Sequence, residues 1–184
     1  MASSSYLDSP ERGGTGNYFK AKVPGEYTVR VLADFIPGEL AWKGKKPVRK
    51  RTGESWVEDD CDDVDKIKTI WMGPVWNYAE EKVQVWEIAQ KGIRAAIRSL
   101  VKKKAWGPIT GYDLVLERKG TGIDDTEYLL VPENKGPAPD AAIKAFEDAC
   151  AFGKFNIEEL FYGGDPFDAK LRGKDGVEDK DIPF

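Results

Sequence analysis

Residues 83–101 read Val83-Gln-Val-Trp-Glu-Ile-Ala-Gln-Lys-Gly-Ile-Arg-Ala-Ala-Ile-Arg-Ser-Leu-Val101. Within this stretch the hydrophobic period changes. Val83 to Ile88 is rich in β-branched and aromatic residues, as a strand requires. From Ile93 the apolar positions Ile93, Ala96, Ile97, Leu100 and Val101 fall on one face of a helix, while Arg94, Arg98, Lys102 and Lys103 fall on the other. A strand followed by a charged amphipathic helix is the pivot around which the other elements are placed.

Upstream, Tyr27, Val29, Val31 and Ala33 alternate with Glu26, Thr28, Arg30 and Leu32. That pattern predicts a half-buried strand, entered through Pro24-Gly25 and closed by Pro37-Gly38. Residues 67–78 predict a second strand, bent at Gly73-Pro74, and Ala79-Glu80-Glu81 links it to the strand at 83–88. Downstream, Gly107-Pro108 stops the helix, and residues 112–118 and 126–131 form a hairpin around Lys119-Gly-Thr-Gly. A Pro/Gly linker at 132–139 leads to a short helix over 140–152, and Asn156 caps one further turn. The expected fold is mainly β: a five-stranded OB-fold, or Greek-key, barrel with a helix between strands 3 and 4, a short C-terminal helix and a disordered acidic tail. The expected divisions are a flexible N-terminal arm at 1–16, the barrel domain at 17–162 and the tail at 163–184.

The 184 residues carry 28 Lys+Arg, 32 Asp+Glu and no His. Without imidazole, Ser-His-Asp and Cys-His catalysis are excluded. Two cysteines, Cys61 and Cys150, are too few for a Cys/His zinc site and form no CxxC motif, so no metal and no cofactor is expected. No apolar run reaches the length of a membrane span, and the N-terminus lacks the apolar stretch of a signal peptide.

The net charge of −4 conceals strong local polarity. Residues 41–56 hold six bases and one acid, and residues 57–65 hold six acids and no base. The basic block sits beside Trp42, in what is expected to be a long loop at 40–66. Cations track phosphates and exposed aromatic rings stack on bases, a combination that suits single-stranded nucleic acid. The candidate contacts are Trp42, Lys43, Lys45, Lys46, Arg49, Lys50, Arg51, Trp71, Trp76, Tyr78 and Arg94. Trp86 and Trp106 are expected in the core or at a corner. The same pattern also fits a solvated basic loop. RNA is not distinguished from DNA by stacking platforms alone.

The acidic run from Asp59 to Asp65 raises metal-dependent cleavage as an alternative, although it lacks the Gly turn of an EF-hand and its carboxylates are consecutive. Regulation of the neighbouring basic stretch is the preferred role.

The sequence ends Val177-Glu-Asp-Lys-Asp-Ile-Pro-Phe184. Phe184 combines a ring with a terminal carboxylate, Ile182 adds apolar contact, Pro183 restricts the backbone, and Asp179 and Asp181 suit a basic rim. Asp181-Ile182-Pro183-Phe184 resembles the tip of bacterial single-stranded DNA-binding proteins, with Lys180 departing from their more uniformly acidic approach. Trp76-Asn77-Tyr78, the stretch 83–88 with its following helix, Trp106-Gly107, Tyr112-Asp113 and the hairpin from Arg118 to Tyr128 resemble phage single-stranded DNA-binding proteins of the OB-fold type. The resemblance covers about residues 18–132. It implies a non-enzymatic protein that coats single strands in phage replication, recombination and repair, in the cytoplasm of an infected bacterium. It further implies recruitment of phage or host replication and recombination proteins through the tip, competition of the tail with DNA, and possible self-association. An adaptor that mimics the host tip without binding DNA is a further alternative.

Overall fold

The computed structural model describes residues 16–169, and its sheet is organised around the strand expected at 67–78. That strand, β4 (Lys68–Asn77), runs unbroken through Gly73-Pro74. Along one edge it pairs antiparallel with β5 (Lys82–Ile88). Its other edge is shared between β2 (Ile36–Lys43) and β1 (Gly25–Val31). The expected bend lies in the partner instead. Val31 faces Val75 and Ile36 faces Met72, so residues 32–35 oppose only Gly73 and Pro74. This is a bulge, and it explains a proline in a central strand. The Pro74 carbonyl accepts the Leu32 N–H at 3.0 Å. The N–H and C=O of one strand residue point the same way, so the donor that proline lacks faces the interrupted ladder. Gly73 permits the close approach, since a Cβ there would lie 2.7 Å from the Phe35 ring.

The expected loop at 40–66 is corrected in its first part. β2 and β3 (Lys46–Arg51) form a hairpin, with Lys43 opposite Lys46 and Gly44 at φ +60° in the two-residue turn. Pro37-Gly38, expected to end a strand, lies inside β2. Residues 58–60 and 64–66 are single 3-10 turns.

The helix of the opening stretch is α1 (Lys91–Lys102), with Ile93, Ile97 and Leu100 buried. After it come β6 (Asp113–Lys119) and β7 (Glu127–Glu133), paired as the expected hairpin, and β6 also pairs with β1. The described residues therefore form a seven-stranded antiparallel sheet in the order β3-β2-β4-β1-β6-β7, with β5 beside β4. The five-stranded closed barrel is corrected on both counts: there are seven strands, and β5 and β7 do not pair. Helix α1 packs against both of these strands, and residues 17–19 cover part of the β5 edge through hydrogen bonds between Phe19 N–H and the Val85 carbonyl and between Val85 N–H and the Asn17 carbonyl.

Both faces of β4 and β5 are buried. Val75, Trp86 and Ile88 enter the main core with Phe19, Val29, Ile93, Ile97, Tyr112 and Leu114. Ile70, Met72, Trp76, Val83 and Val85 face the opposite way, towards the C-terminal segment. That segment is α2 (Asp140–Cys150) followed by 3-10 turns at 151–153 and 157–162, the latter capped by Asn156, whose side chain accepts the Glu158 N–H at 3.0 Å. Phe167, assigned by the sequence to the tail, packs against this second core. The remaining tail and the arm at 1–15 lie outside the described residues. Among the described residues no helix is long and apolar enough to cross a membrane.

A buried ion pair ties β1 to β6. Arg30 Nε donates to Asp113 Oδ1 at 2.7 Å, and the same oxygen accepts the Tyr78 hydroxyl at 2.7 Å. Asn134 donates to the other carboxylate oxygen, while the Arg30 guanidinium reaches the carbonyls of Gly136 and Asn134 at 2.7 and 3.1 Å.

Asp113→Ala strands a charge on Arg30 and is expected to cost about 3–5 kcal/mol in urea denaturation. Tyr78 supplies a pH signature: burial, then its bond to Asp113, pushes its hydroxyl up to about 12. The folded state therefore holds a proton that the unfolded chain releases near the ordinary value. The stabilisation is fully present below pH 10 and is lost as pH rises towards about 12. Tyr78→Phe should flatten the fall in urea midpoint across that window.

Candidate nucleic-acid interface

Strand alternation gives the β2–β3 hairpin two chemically different faces. Directly opposed residues share a face, so Trp42 with Pro47, Leu40 with Arg49 and Gly38 with Arg51 point one way. Glu39, Ala41, Lys43, Lys46, Val48 and Lys50 point the other, although Lys46, at the hairpin tip, also reaches the margin of the first face.

The second face is occupied by the acidic segment. Lys50 Nζ binds Asp60 Oδ2 at 2.6 Å and the Ser55 carbonyl at 2.7 Å, and lies 5.0 Å from the Trp56 ring centroid. Lys43 donates to the Asp59 carbonyl. Asp62 accepts the Gly44 N–H at 2.7 Å, and Trp56 donates to Glu39 at 3.0 Å. These bonds to Lys50 and to the Val57 N–H hold the Asp60 carboxyl below the usual carboxylate range. The Asp65 N–H and Lys66 do the same for Asp63. The acids of the run thus cap turns and neutralise the hairpin from behind. Among the described residues no three His, Cys, Asp or Glu side chains converge into a metal-binding group.

The first face opens onto a groove of about 1180 Å3. Trp42, Lys45, Lys46, Pro47 and Arg49 form one wall; Tyr18, Lys20, Lys22 and Tyr27 form the other, with Gln84, Glu80 and Glu87 between them and Gly163-Gly164 at the rim. Trp42 is 52% exposed. Arg49 is committed to Glu87 at 2.5 Å, which fixes the hairpin against β5. Tyr18 leans on the same pair, and burial pushes its hydroxyl pKa up against the lowering effect of Arg49. Tyr27 is held by Val23, whose carbonyl accepts the Tyr27 hydroxyl at 2.7 Å. The groove therefore combines aromatic rings with an excess of cations over acids, Lys20, Lys22, Lys45, Lys46 and Arg49 against Glu80 and Glu87.

Of the residues expected to bind, the structure brings Trp42, Lys45, Lys46 and Arg49 to this groove. The others lie elsewhere. Lys43 and Lys50 are on the back of the hairpin. Arg51 lies 4.7 Å over the Phe161 ring and 3.5 Å from Glu158. Trp76 is 6% exposed and packs with Val83 and Ala142, so it is a core residue rather than a stacking platform. Tyr78 is engaged with Asp113. Arg94 Nη1 ties strand ends together through the carbonyls of Thr69, Ile88 and Ala89 at 2.8, 3.3 and 2.6 Å. Trp71 is engaged by the Phe35 ring, at 6.3 Å, and by the Arg98 guanidinium, at 5.3 Å. Trp86 is in the core, as expected, and Trp106 packs edge-on to Tyr112. The tip residues Asp179, Asp181, Ile182, Pro183 and Phe184 lie outside the described residues.

Sequence reading missed Tyr18, Lys20, Lys22 and Tyr27. Their signal is the alternation at 18–22: Tyr18, Lys20 and Lys22 line the groove, with Tyr18 also resting on the second core, while Phe19 and Ala21 pack against the main core and Phe19 borders the groove floor. A Ser/Gly-rich approach from residue 3 masked it.

Two tryptophan substitutions separate surface from core. Trp76→Ala should destabilise by about 3–5 kcal/mol. Trp42→Ala should stay within about 0.5 kcal/mol of the parent in the same denaturant titration.

No protein-family model, no curated protein and no solved structure matches this chain.

Proposed function

We propose that this chain is a sequence-tolerant single-stranded nucleic-acid-binding protein, with single-stranded DNA as its ligand. The observation that carries the reading is the groove between the β2–β3 hairpin and residues 18–22. Its cations are placed to follow a phosphate backbone, and Trp42, Tyr18 and Tyr27 offer rings to unstacked bases. Arg49 and Gln84, the groove side chains whose forks suit a base edge, are engaged by Glu87 and by Asn77, Gly16 and Glu80, which favours tolerance of sequence.

The connectivity supports an OB-type reading in finer detail. β1 and β2 act as one bulged strand. With β4, β5, β6 and β7 they give five strands with α1 between the third and fourth, and the β2–β3 hairpin is an extension of the first strand. Such folds place ligands against their strand faces and connecting loops. Here α2 and the 157–162 turn cover the outer face of β4 and β5, which leaves the groove at the β5 margin as the accessible path.

The groove performs no bond-making step in this reading, so the protein acts by holding and protecting a strand. The sequence tip resembling bacterial single-stranded DNA-binding proteins supports recruitment of replication and recombination proteins, and the resemblance to the phage proteins implies a setting in the cytoplasm of an infected bacterium.

Titration with oligo-dT, oligo-rU and duplex in parallel, followed by tryptophan fluorescence, is the test. Quenching by oligo-dT is expected, with affinity falling as salt rises. Trp42→Ala should weaken oligo-dT binding by about 1–3 kcal/mol. Lys45→Gln with Lys46→Gln should lower the slope of log K against log salt by about 1.4. Absence of both quenching and a gel shift at low salt overturns the reading.

A further inference from the structure

Helix α1 is built against its own local electrostatics. The segment 89–112 holds six bases and no acid. A helix N-terminus favours negative charge, yet α1 begins with Lys91, has no acid in its first turn and receives no side-chain cap from Gln90. Arg94 and Arg98, and again Arg98 and Lys102, are like charges four residues apart, a spacing that repels. The Arg94 pKa is lowered by burial and by Arg98. Lys102, Lys103 and Lys104 suit the helix C-terminus, but Lys91 does not suit its start. Propensity and capping therefore do not account for the pattern.

The groove's cations are partly neutralised, and the hairpin's back is covered by acids. By contrast, Lys91, Lys102, Lys103 and Lys104 are exposed and have no side-chain partner among the described residues. With Ile93, Ile97 and Leu100 facing the core, Lys91, Arg98 and Lys102 form one outward ridge. None of them lines the groove.

The ridge has cations but no ring free to stack. Trp71, beside Arg98, is engaged by Phe35 and by that guanidinium, and Trp106, beside Lys103, packs edge-on to Tyr112. Such a surface contacts phosphates and not bases, and the nucleic acid that presents phosphates with its bases enclosed is a duplex. The stretch from Lys91 to Lys102 is about 16 Å long at helical rise. Duplex DNA carries about one charge per 1.7 Å of axis. We propose that the α1 ridge, Lys91, Arg98 and Lys102 continued by Lys103 and Lys104, is a second nucleic-acid site that takes the backbone of duplex DNA. The inference goes beyond the groove reading and does not depend on it. With both sites filled, the protein would sit where a single strand meets a duplex.

The test uses the full chain and fluorescence anisotropy with a short blunt duplex and with oligo-dT. In Lys91→Gln/Lys102→Gln/Lys103→Gln, duplex affinity should fall about tenfold or more at low salt, and the salt slope should lose about 2.7. Oligo-dT affinity should change by less than about twofold. The groove variant Lys45→Gln/Lys46→Gln should show the reverse. Circular dichroism matching the parent confirms that the exposed substitutions leave the fold intact. Failure of the parent chain to bind duplex at low salt, or unchanged duplex binding in the ridge variant, overturns the proposal. Equal loss of oligo-dT and duplex in the ridge variant also overturns it, because the ridge would then belong to the groove's strand. If oligo-dT does not bind at all, the groove reading falls, while the duplex measurements still decide the ridge.

Discussion

Both edges and both faces of β4 are occupied, and this constraint organises the molecule. A strand paired on one side with β5 and on the other with two successive strands must accommodate a change of partner midway. Gly73-Pro74 is where that happens: glycine admits the Phe35 ring, and proline presents no donor to the gap. The bulge at residues 32–35 displaces β2 from β1 while both remain paired to the same edge of β4. It also sets the register that carries β2 past the start of β4, so that the β2–β3 hairpin projects beyond the sheet. Without that projection Trp42, Lys45 and Lys46 would have no wall to oppose. The Arg30–Asp113 pair does the complementary task at the other side of β1, where six ladder residues already join it to β6. Losing one partner of so buried a pair is costly, although desolvation leaves the intact pair little net stability.

The near-neutral total charge is a consequence of local cancellation. The hairpin presents its cations on both faces, as strand alternation requires, and only one face opens onto the groove. The acidic segment at 57–65 covers the other. Its carboxylates cap its own turns and bind Lys50, while little of it is buried apart from Cys61 and parts of Asp60 and Asp63. Ion pairs on a partly exposed surface add little stability. The segment's main effect is thus to remove the rear cations from competition and leave the groove face as the hairpin's positive surface.

How much of this was legible in the sequence depended on the kind of signal. The strands at 67–78 and 83–88, the α1 helix and the 113–133 hairpin follow from periodicity, and their cores are formed by the residues the periodicity selects. The β2–β3 hairpin was illegible because Pro37-Gly38 marks a strand end in most contexts and Lys46, Arg49, Lys50 and Arg51 are poor strand formers. Here pairing of β2 with β4, and of β3 with β2, overrides propensity. Closure was over-read, since strand count does not state which edges meet. The side chains of Trp76 and Arg94 were misplaced for a related reason. Composition identifies a tryptophan or an arginine, but only the C-terminal segment lying over β4 makes Trp76 a core residue, and only the carbonyls at the strand ends make Arg94 a brace.

The contrast between those two misplaced residues and the ones that do line the groove gives a criterion for reading cations and aromatics in such a fold. Arg94 and Arg30 direct their guanidinium groups at backbone carbonyls, and Arg49 directs its own at Glu87, so each is fixed by the protein before any ligand arrives. The groove lysines differ in chemistry. A lysine ammonium is a strongly hydrated point charge on a flexible stem, suited to follow a backbone whose phosphates vary in position. An arginine fork loses that adaptability once two of its donors are engaged. The division of labour therefore follows side-chain physics: arginines build the walls, and Lys20, Lys45 and Lys46 have the adaptability that the proposed single-strand ligand requires.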